Sequence, residues 1–367
     1  MTGPPTLTQP LASPRAMKLQ PLTLMPAAQF PLEKIVSLKQ AEGTPVFLAF
    51  PVSGPQEADN LGRLLEILRP LLGTLVDQVW VASSSRDPGA LGGLQKAVSN
   101  LEIFLAPQHL PPDQVDVPLG KGAAMRALIH YLIVARGLRH PRAVIQFLDA
   151  DILPAYFHPH WVAGPVGAVL HFHKLDAAKV VYWRPRGGRL NTMLRALLAQ
   201  IPHGGVARLQ SLAYLLSGEI AGTLNWWVHL PFRHGYGVEI QILLSLALPF
   251  IYPTDSKKRP LEHVAQVYVG RMDHRHAPLT TSAGRRGLDQ MAAAVFFTLV
   301  DTLARLDVLD WGFPGPREVQ LTLPIPRRGG KDLPAWKEVT VKEEYLQPLS
   351  LVDEVRRALF PEGLRCR

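Results

Sequence analysis

The chain has 367 residues, 47% of them hydrophobic and 19% charged, with a net charge of +9. That allows a substantial core in one large or two smaller domains. A single cysteine, Cys366, excludes an internal disulfide and a cysteine-based metal cluster. The excess arginines are scattered rather than blocked, which favours small anionic ligands over a nucleic-acid backbone.

Residues 1–29 are rich in Pro and Thr and lack an apolar signal stretch, so they read as a flexible leader. "FPLEKIVSLKQ" then has helical spacing, and "TPVFLAFPV" reads as a buried strand ending in the loop "SGPQEADN". "LGRLLEILRPLLGTL" predicts an amphipathic helix, "VDQVWVASSS" a second strand, "GALGGLQKAVSN" a short helix and "LEIFLAP" a third strand. "GKGAAMRALIHYLIVARGL" predicts a helix opened by a glycine pair, and "AVIQFLDADI" a fourth strand. Strands alternating with helices imply a mostly parallel α/β sheet covered on both faces. Ligands of such sheets bind beyond the carboxyl ends of the strands, where "FPVSG", "ASSSRD" and "LDADI" should converge.

The second half is less regular. "GEIAGTLNWWVHLPFRHGYGVEIQILLSLAL" mixes a turn, aromatics and a helix. "EHVAQVYVGRMDHRHAPL" reads as a strand leaving into a polar loop, and "LDQMAAAVFFTLVDTLARL" as an amphipathic helix. From Pro314 on, the sequence is rich in Pro and charge until a last helix near "LVDEVRRALF". The apolar run Ile240–Pro253 is too short to span a bilayer and contains proline, so the expectation is a soluble, cytoplasmic chain with no membrane partner.

Chemistry concentrates in a few motifs. In "VIQFLDADI", Asp149 and Asp151 stand at i and i+2, which puts both carboxylates on one face of an extended segment. Two carboxylates there suit Mg²⁺ or Mn²⁺, which take carboxylate, water and phosphate oxygens. Lys121 sits between two glycines at a helix start, where backbone N–H groups and an ammonium can face an anion. "MDHRHAPL" carries His274 and His276, and a neutral imidazole can complete a metal site. "RHGYGVEIQ" places Glu239 just after two glycines. "WRPRGGRLN" offers Arg184, Arg186 and Arg189, whose guanidinium forks match carboxylate and phosphate. Arg195, further along, reads as part of a solvated basic face, and Trp226 and Trp227 as core or dimer contacts.

In this order, "GKG", "FLDADI", "FHPHWVAGPV", "RGGRLN", "SGE", "GYGVEI" and "DHRHAPL" resemble the retaining glycosyltransferases of family 81, from about Phe30 to Leu279. The resemblance implies a GT-A fold with a Rossmann-like nucleotide-binding half over 30–200, an acceptor-binding half over 201–313 and an extension over 314–367. It implies a UDP- or GDP-hexose donor, 3-phosphoglycerate or another small anionic acceptor, Mg²⁺ or Mn²⁺, and a homodimer that binds no nucleic acid. Asp151 and His274 would hold the metal. Asp149 would meet the ribose or sugar, and it is grouped with Glu239 as catalytic. Pro51, Glu57 and Ser83 would hold the uridine, and Lys121 would lie near the phosphates. Gly218 and Glu219 would line the sugar pocket, and Arg189, Asn191 and His276 would bind the acceptor.

The sequence departs from the family pattern in places. The loop "FPVSGPQE" lacks an Asn-Glu-Glu-like run after the proline, and "ASSSRD" lacks the Asp that usually begins it. Asn191 replaces a common threonine, and His276 a common asparagine. The first two departures bear on the base, the last two on the acceptor. A non-catalytic nucleotide-sugar binder is the rival from another class. It would bind the nucleotide tightly without turnover and tolerate loss of Glu239.

Overall fold

The computed structural model describes residues 24–53, 57–87, 89, 91–98, 101–184, 189–198, 201, 203–248, 260–273, 287–306, 318–325, 335–342, 345–346, 348–349 and 352–359. The elements in chain order begin with β1 (Leu24–Pro26), α1 (Leu32–Glu42), β2 (Val46–Val52), α2 (Ala58–Leu68), β3 (Gln78–Ser83), α3 (Leu91–Ala97) and β4 (Leu101–Leu105). Then come α4 (Lys121–Val134), β5 (Val144–Phe147), α5 (His160–His171), β6 (Ala177–Trp183), α6 (Arg189–Leu198) and α7 (Gly204–Arg208). They are followed by β7 (Ile220–Thr223), α8 (Leu224–His229), β8 (Phe232–Arg233), α9 (Gly237–Ala247), β9 (Val264–Arg271) and α10 (Leu288–Arg305). The last are β10 (Glu318–Ile325), β11 (Ala335–Lys342), β12 (Tyr345–Leu346) and α11 (Asp353–Leu359).

Eight strands form one sheet in the order β1-β9-β6-β7-β5-β2-β3-β4, drawing strands from both sides of residue 200. All neighbouring pairs are parallel except β7 with β5 and β7 with β6. Because β7 runs backwards, the residues that precede it lie at the edge where β2, β3, β5 and β6 end. That reversal carries Ser217, Gly218 and Glu219 to the ligand-binding rim of a sheet otherwise read from its strand ends.

Period-two alternation explains the two cores. On β5, Ile145 and Phe147 face one layer, with α4, α8 and α9. Val144 and Leu148 face the other, with α2 and α5. The helix after β2 starts at Ala58, before the predicted apolar run, and Pro70 stops it in a single 3-10 turn. Its Leu61, Leu64, Leu65 and Leu68 are all buried.

Three expectations need correction. Part of the expected leader is structured: Leu24–Pro26 pairs with Gln266–Tyr268 as an edge strand. The stretch beyond Pro314 holds a regular antiparallel hairpin, β10 with β11, where Pro and charge had masked the alternation. Arg195 is no solvated face: its guanidinium donates to the carbonyls of Gln210 and Leu212, at 2.9 and 2.7 Å. Trp226 and Trp227 are core residues, packed edge to face on each other, with Trp227 also edge to face on Phe147.

Candidate active site

The site is built where two glycine motifs interlock. A side chain at Gly120 would put its Cβ 2.7 Å from the His234 carbonyl, and one at Gly122 would overlap the Arg233 carbonyl. Only glycine lets α4 start this close to the segment between β8 and α9. Ala123 N–H closes the junction by donating to the His234 carbonyl at 2.9 Å. The junction is backed by Arg233, 1% exposed, which donates to Gln241 and Thr302 and pairs with Asp301.

From the first turn of α4, Lys121 reaches two acids at once. Its Nζ lies 2.6 Å from Asp149 Oδ1 and 2.8 Å from Glu239 Oε1. Burial works against its charge, but Asp149 and then Glu239 outweigh burial and hold the ammonium well above its ordinary pKa. Gly218 closes over this trio: a Cβ there would collide with Lys121 Nζ and lie 3.0 Å from Asp149 Oδ1. Four sequence motifs thus meet at one point, although their residues span 118 positions between Lys121 and Glu239 alone.

The D-x-D element follows β5 rather than ending it. Asp149 and Asp151 are half-buried with buried Ala150 between them, as the i, i+2 spacing requires. Asn60, 4% exposed, fixes this turn by donating from Nδ2 to the carbonyls of Ala150 and Ile152, at 2.6 and 2.8 Å. Glu57 lies alongside, accepting from Ser53 N–H at 2.8 Å. Burial pushes its carboxyl above the usual range. The Ser53 amide pulls it back, and the charges of Asp151 and Asp149 push it up again. Pro51 and Ser83 lie at the carboxyl ends of adjacent strands β2 and β3.

One acid lies deeper. Glu219 is fully buried and accepts from Tyr182 Oη at 3.4 Å. Asn191 is turned toward its own chain: its Oδ1 accepts from Leu215 N–H at 2.7 Å and steadies the segment leading to Gly218. Arg189 opens α6, and nothing further of its side chain is described. His274 and His276 lie outside the described residues. The segment leading to them is anchored beside the D-x-D turn, where Leu153 N–H donates to the Asp273 carbonyl at 2.9 Å. Among the described residues, no three His, Cys, Asp or Glu side chains group closely enough to hold a metal. No helix among them is long and apolar enough to cross a membrane.

Sequence reading passed over Asn60, Lys179 and Tyr182. Asn60 stood in a polar loop string with nothing to mark it. Lys179 did carry a signal, as the lone charge in the apolar strand "AAKVVYW".

A mostly parallel mixed sheet flanked by helices, with these acids and a lysine at its rim, is a GT-A-like architecture. No protein-family model matches the sequence. Among curated proteins, glucosyl-3-phosphoglycerate synthase of Mycolicibacterium smegmatis is 29% identical over 268 residues, 70% of this chain and 76% of that protein. Among solved structures, mannosyl-3-phosphoglycerate synthase from Rubrobacter xylanophilus superposes with a TM-score of 0.68 at 22% identity, over 89% of this chain and 94% of that one. Glucosyl-3-phosphoglycerate synthase from Mycobacterium tuberculosis, solved with Mn²⁺, UDP and glucosyl-3-phosphoglycerate, gives a TM-score of 0.64 at 25% identity, over 87% and 95%. Over most of its length the chain is thus similar to the glucosyl- and mannosyl-3-phosphoglycerate synthases, which supports the resemblance to glycosyltransferase family 81.

Proposed function

We propose that this enzyme moves a hexose, glucose or mannose, from a UDP- or GDP-sugar to 3-phosphoglycerate or a closely related small anionic acceptor, with retention of configuration. The observation that carries this is the Lys121 bridge between Asp149 and Glu239 under Gly218, at the ligand rim of a fold shared with enzymes of that activity. A soluble, cytoplasmic enzyme assembled as a homodimer is the expectation.

A divalent cation fits the donor set. Carboxylate oxygens are hard donors of the kind Mg²⁺ and Mn²⁺ take, and the charges of Asp151 and Asp149 are both felt at Glu57. Asp151 and His274 would hold it, and when bound it neutralises charge on the departing diphosphate. Pro51, Glu57 and Ser83 would seat the nucleoside at the ends of β2 and β3. Lys121 brings its ammonium to the diphosphate side, where charge develops as the anomeric C–O bond breaks. Asp149 and Glu239, tied to that ammonium, are placed to hold sugar hydroxyls while an oxocarbenium-like centre forms. Gly218 and Glu219 would line the hexose. Arg189 and His276 would face the acceptor, with Asn191 holding the neighbouring Leu215 segment, and the acceptor hydroxyl approaches from the face the diphosphate leaves.

The test is incubation with UDP-glucose, GDP-glucose or GDP-mannose, each with 3-phosphoglycerate and Mg²⁺ or Mn²⁺, read by mass spectrometry. A hexosyl adduct that disappears in Asp151→Ala supports the function and names the donor. Metal-dependent binding of the nucleotide-sugar without product relocates the question to the acceptor. Absence of binding refutes the function.

A further inference from the structure

A second buried lysine stands behind the first. Lys179 lies on β6, 4% exposed, with Ile220 of β7 on one side and Gln266 of β9 on the other. Its Nζ donates to Ser217 twice, to the carbonyl at 3.1 Å and to Oγ at 3.0 Å. Ser217 Oγ in turn lies 3.2 Å from the Val180 carbonyl, and Val180 N–H donates to the Glu219 carbonyl at 3.1 Å. Lys179 and Val180 therefore grip the Ser217–Gly218–Glu219 turn at three points. That turn presses Gly218 onto Lys121 and Asp149, so the grip is felt at the reacting centre.

The electrostatics point the same way. The charged groups facing Lys179 are Glu239 from α9, Glu219 ahead of β7 and Lys121 from α4. Tyr182, further along β6, feels both glutamates as well. Without Lys179, the acids Glu219 and Glu239 would lose one of the positive charges that face them. Burial without charged contact at Nζ pulls the Lys179 ammonium down to about 8, against the attraction of Glu239 and Glu219 and helped by repulsion from Lys121.

We propose that Lys179 is a positioning residue for hexosyl transfer: it locks the Ser217–Gly218–Glu219 turn against Lys121 and supplies the second positive charge facing Glu219 and Glu239. The proposal rests on the transferase function above. It acts through other residues, so its signature is a loss in kcat rather than in nucleotide affinity. Displacement of a reacting group by about 1 Å costs on the order of a hundredfold in rate.

The experiment compares wild type with Lys179→Met, which keeps length and loses charge, and Lys179→Arg, which keeps charge. Each is assayed for kcat, for donor KM, for the pH dependence of kcat, and for amide hydrogen exchange across residues 212–222. In Lys179→Met, kcat is expected to fall about a hundredfold with donor KM within a few-fold, and the turn to exchange faster. Wild-type kcat is expected to decline above about pH 8, as the ammonium is lost, and Lys179→Arg is expected to move that decline upward and recover part of kcat. An active wild type with Lys179→Met at full kcat, or with an unchanged exchange pattern, overturns the role of Lys179 alone. A wild type that transfers no hexose overturns the function and this role with it. If Lys179→Met fails to fold, Lys179→Arg and the wild-type pH profile decide: no alkaline decline, or one that Arg leaves in place, overturns the proposal.

Discussion

Gly218→Ala separates geometry from stability. Gly218 is not among the glycines with positive φ, so alanine meets no backbone strain there. Its Cβ would instead collide with Lys121 Nζ, and it would lie 3.2 Å from Lys121 Cε and 3.0 Å from Asp149 Oδ1. The end of a lysine side chain can move aside cheaply, so folding should suffer little. To restore van der Waals contact the ammonium must retreat by about 1 Å, and its pairs with Asp149 and Glu239, 2.6 and 2.8 Å long, open by a similar amount. A misplacement of that size at the reacting centre is worth about a hundredfold in kcat, or about 2.7 kcal/mol of transition-state stabilisation. The melting temperature should fall by no more than about 2 °C. Product formation measured at saturating donor, beside a thermal melt of the same preparation, checks both numbers. Kcat within twofold of wild type refutes the reasoning, and so does a loss of activity that merely follows unfolding.

Other perturbations read other parts of the site. Asn60→Ala leaves the buried carbonyls of Ala150 and Ile152 without their donor. It should cost about 2–4 kcal/mol in urea unfolding and raise the metal concentration needed for half-maximal activity. Asp301→Ala strands the buried Arg233 guanidinium and should cost about 3–5 kcal/mol. Replacing both residues by apolar ones (Arg233→Met with Asp301→Leu) should recover most of it in a double-mutant cycle. His130 of α4 meets Glu354 of α11, and burial lowers the imidazole pKa from 6.5 in spite of that carboxylate. The unfolded chain then binds the proton more readily than the folded one, so stability is full above pH 6.5 and is lost as pH falls below it. Melting temperature should drop between pH 6.5 and 5 in wild type, and His130→Gln should flatten that slope.

The strands β2, β3, β4, β5 and β9 were legible in the sequence because they have local signatures, whereas β1, β6 and β7 were not. Buried strands such as "VFLAFPV" and "AVIQF" are continuous apolar runs, and glycines beside charged residues mark tight approaches such as those at Gly120, Gly122 and Gly218. What escaped depends on partners far away along the chain. Asn60 matters because it reaches residues some 90 positions on, and Arg233 because Asp301 lies 68 positions on. Lys179 matters because β7 and β9 flank its strand on both sides, a placement its own stretch of sequence does not reveal. The β10–β11 hairpin was hidden by its prolines and charges, which are tolerated where strand edges are not closed into a larger sheet.

The last elements have a bearing on when the glycine junction is supported. Tyr345 and Leu346 add a strand to Phe232 and Arg233, and α11 leans on α4 through Glu354 and His130. Both elements that meet at the glycine junction are therefore braced by chain made roughly 110 residues after β8, on the order of 5–20 s later at ribosomal speeds. During that interval Lys121 and Glu239 already exist, but the two supports behind them do not. A chain ended before residue 345 should thus keep its sheet while the junction of α4 with β8 lacks both of these braces.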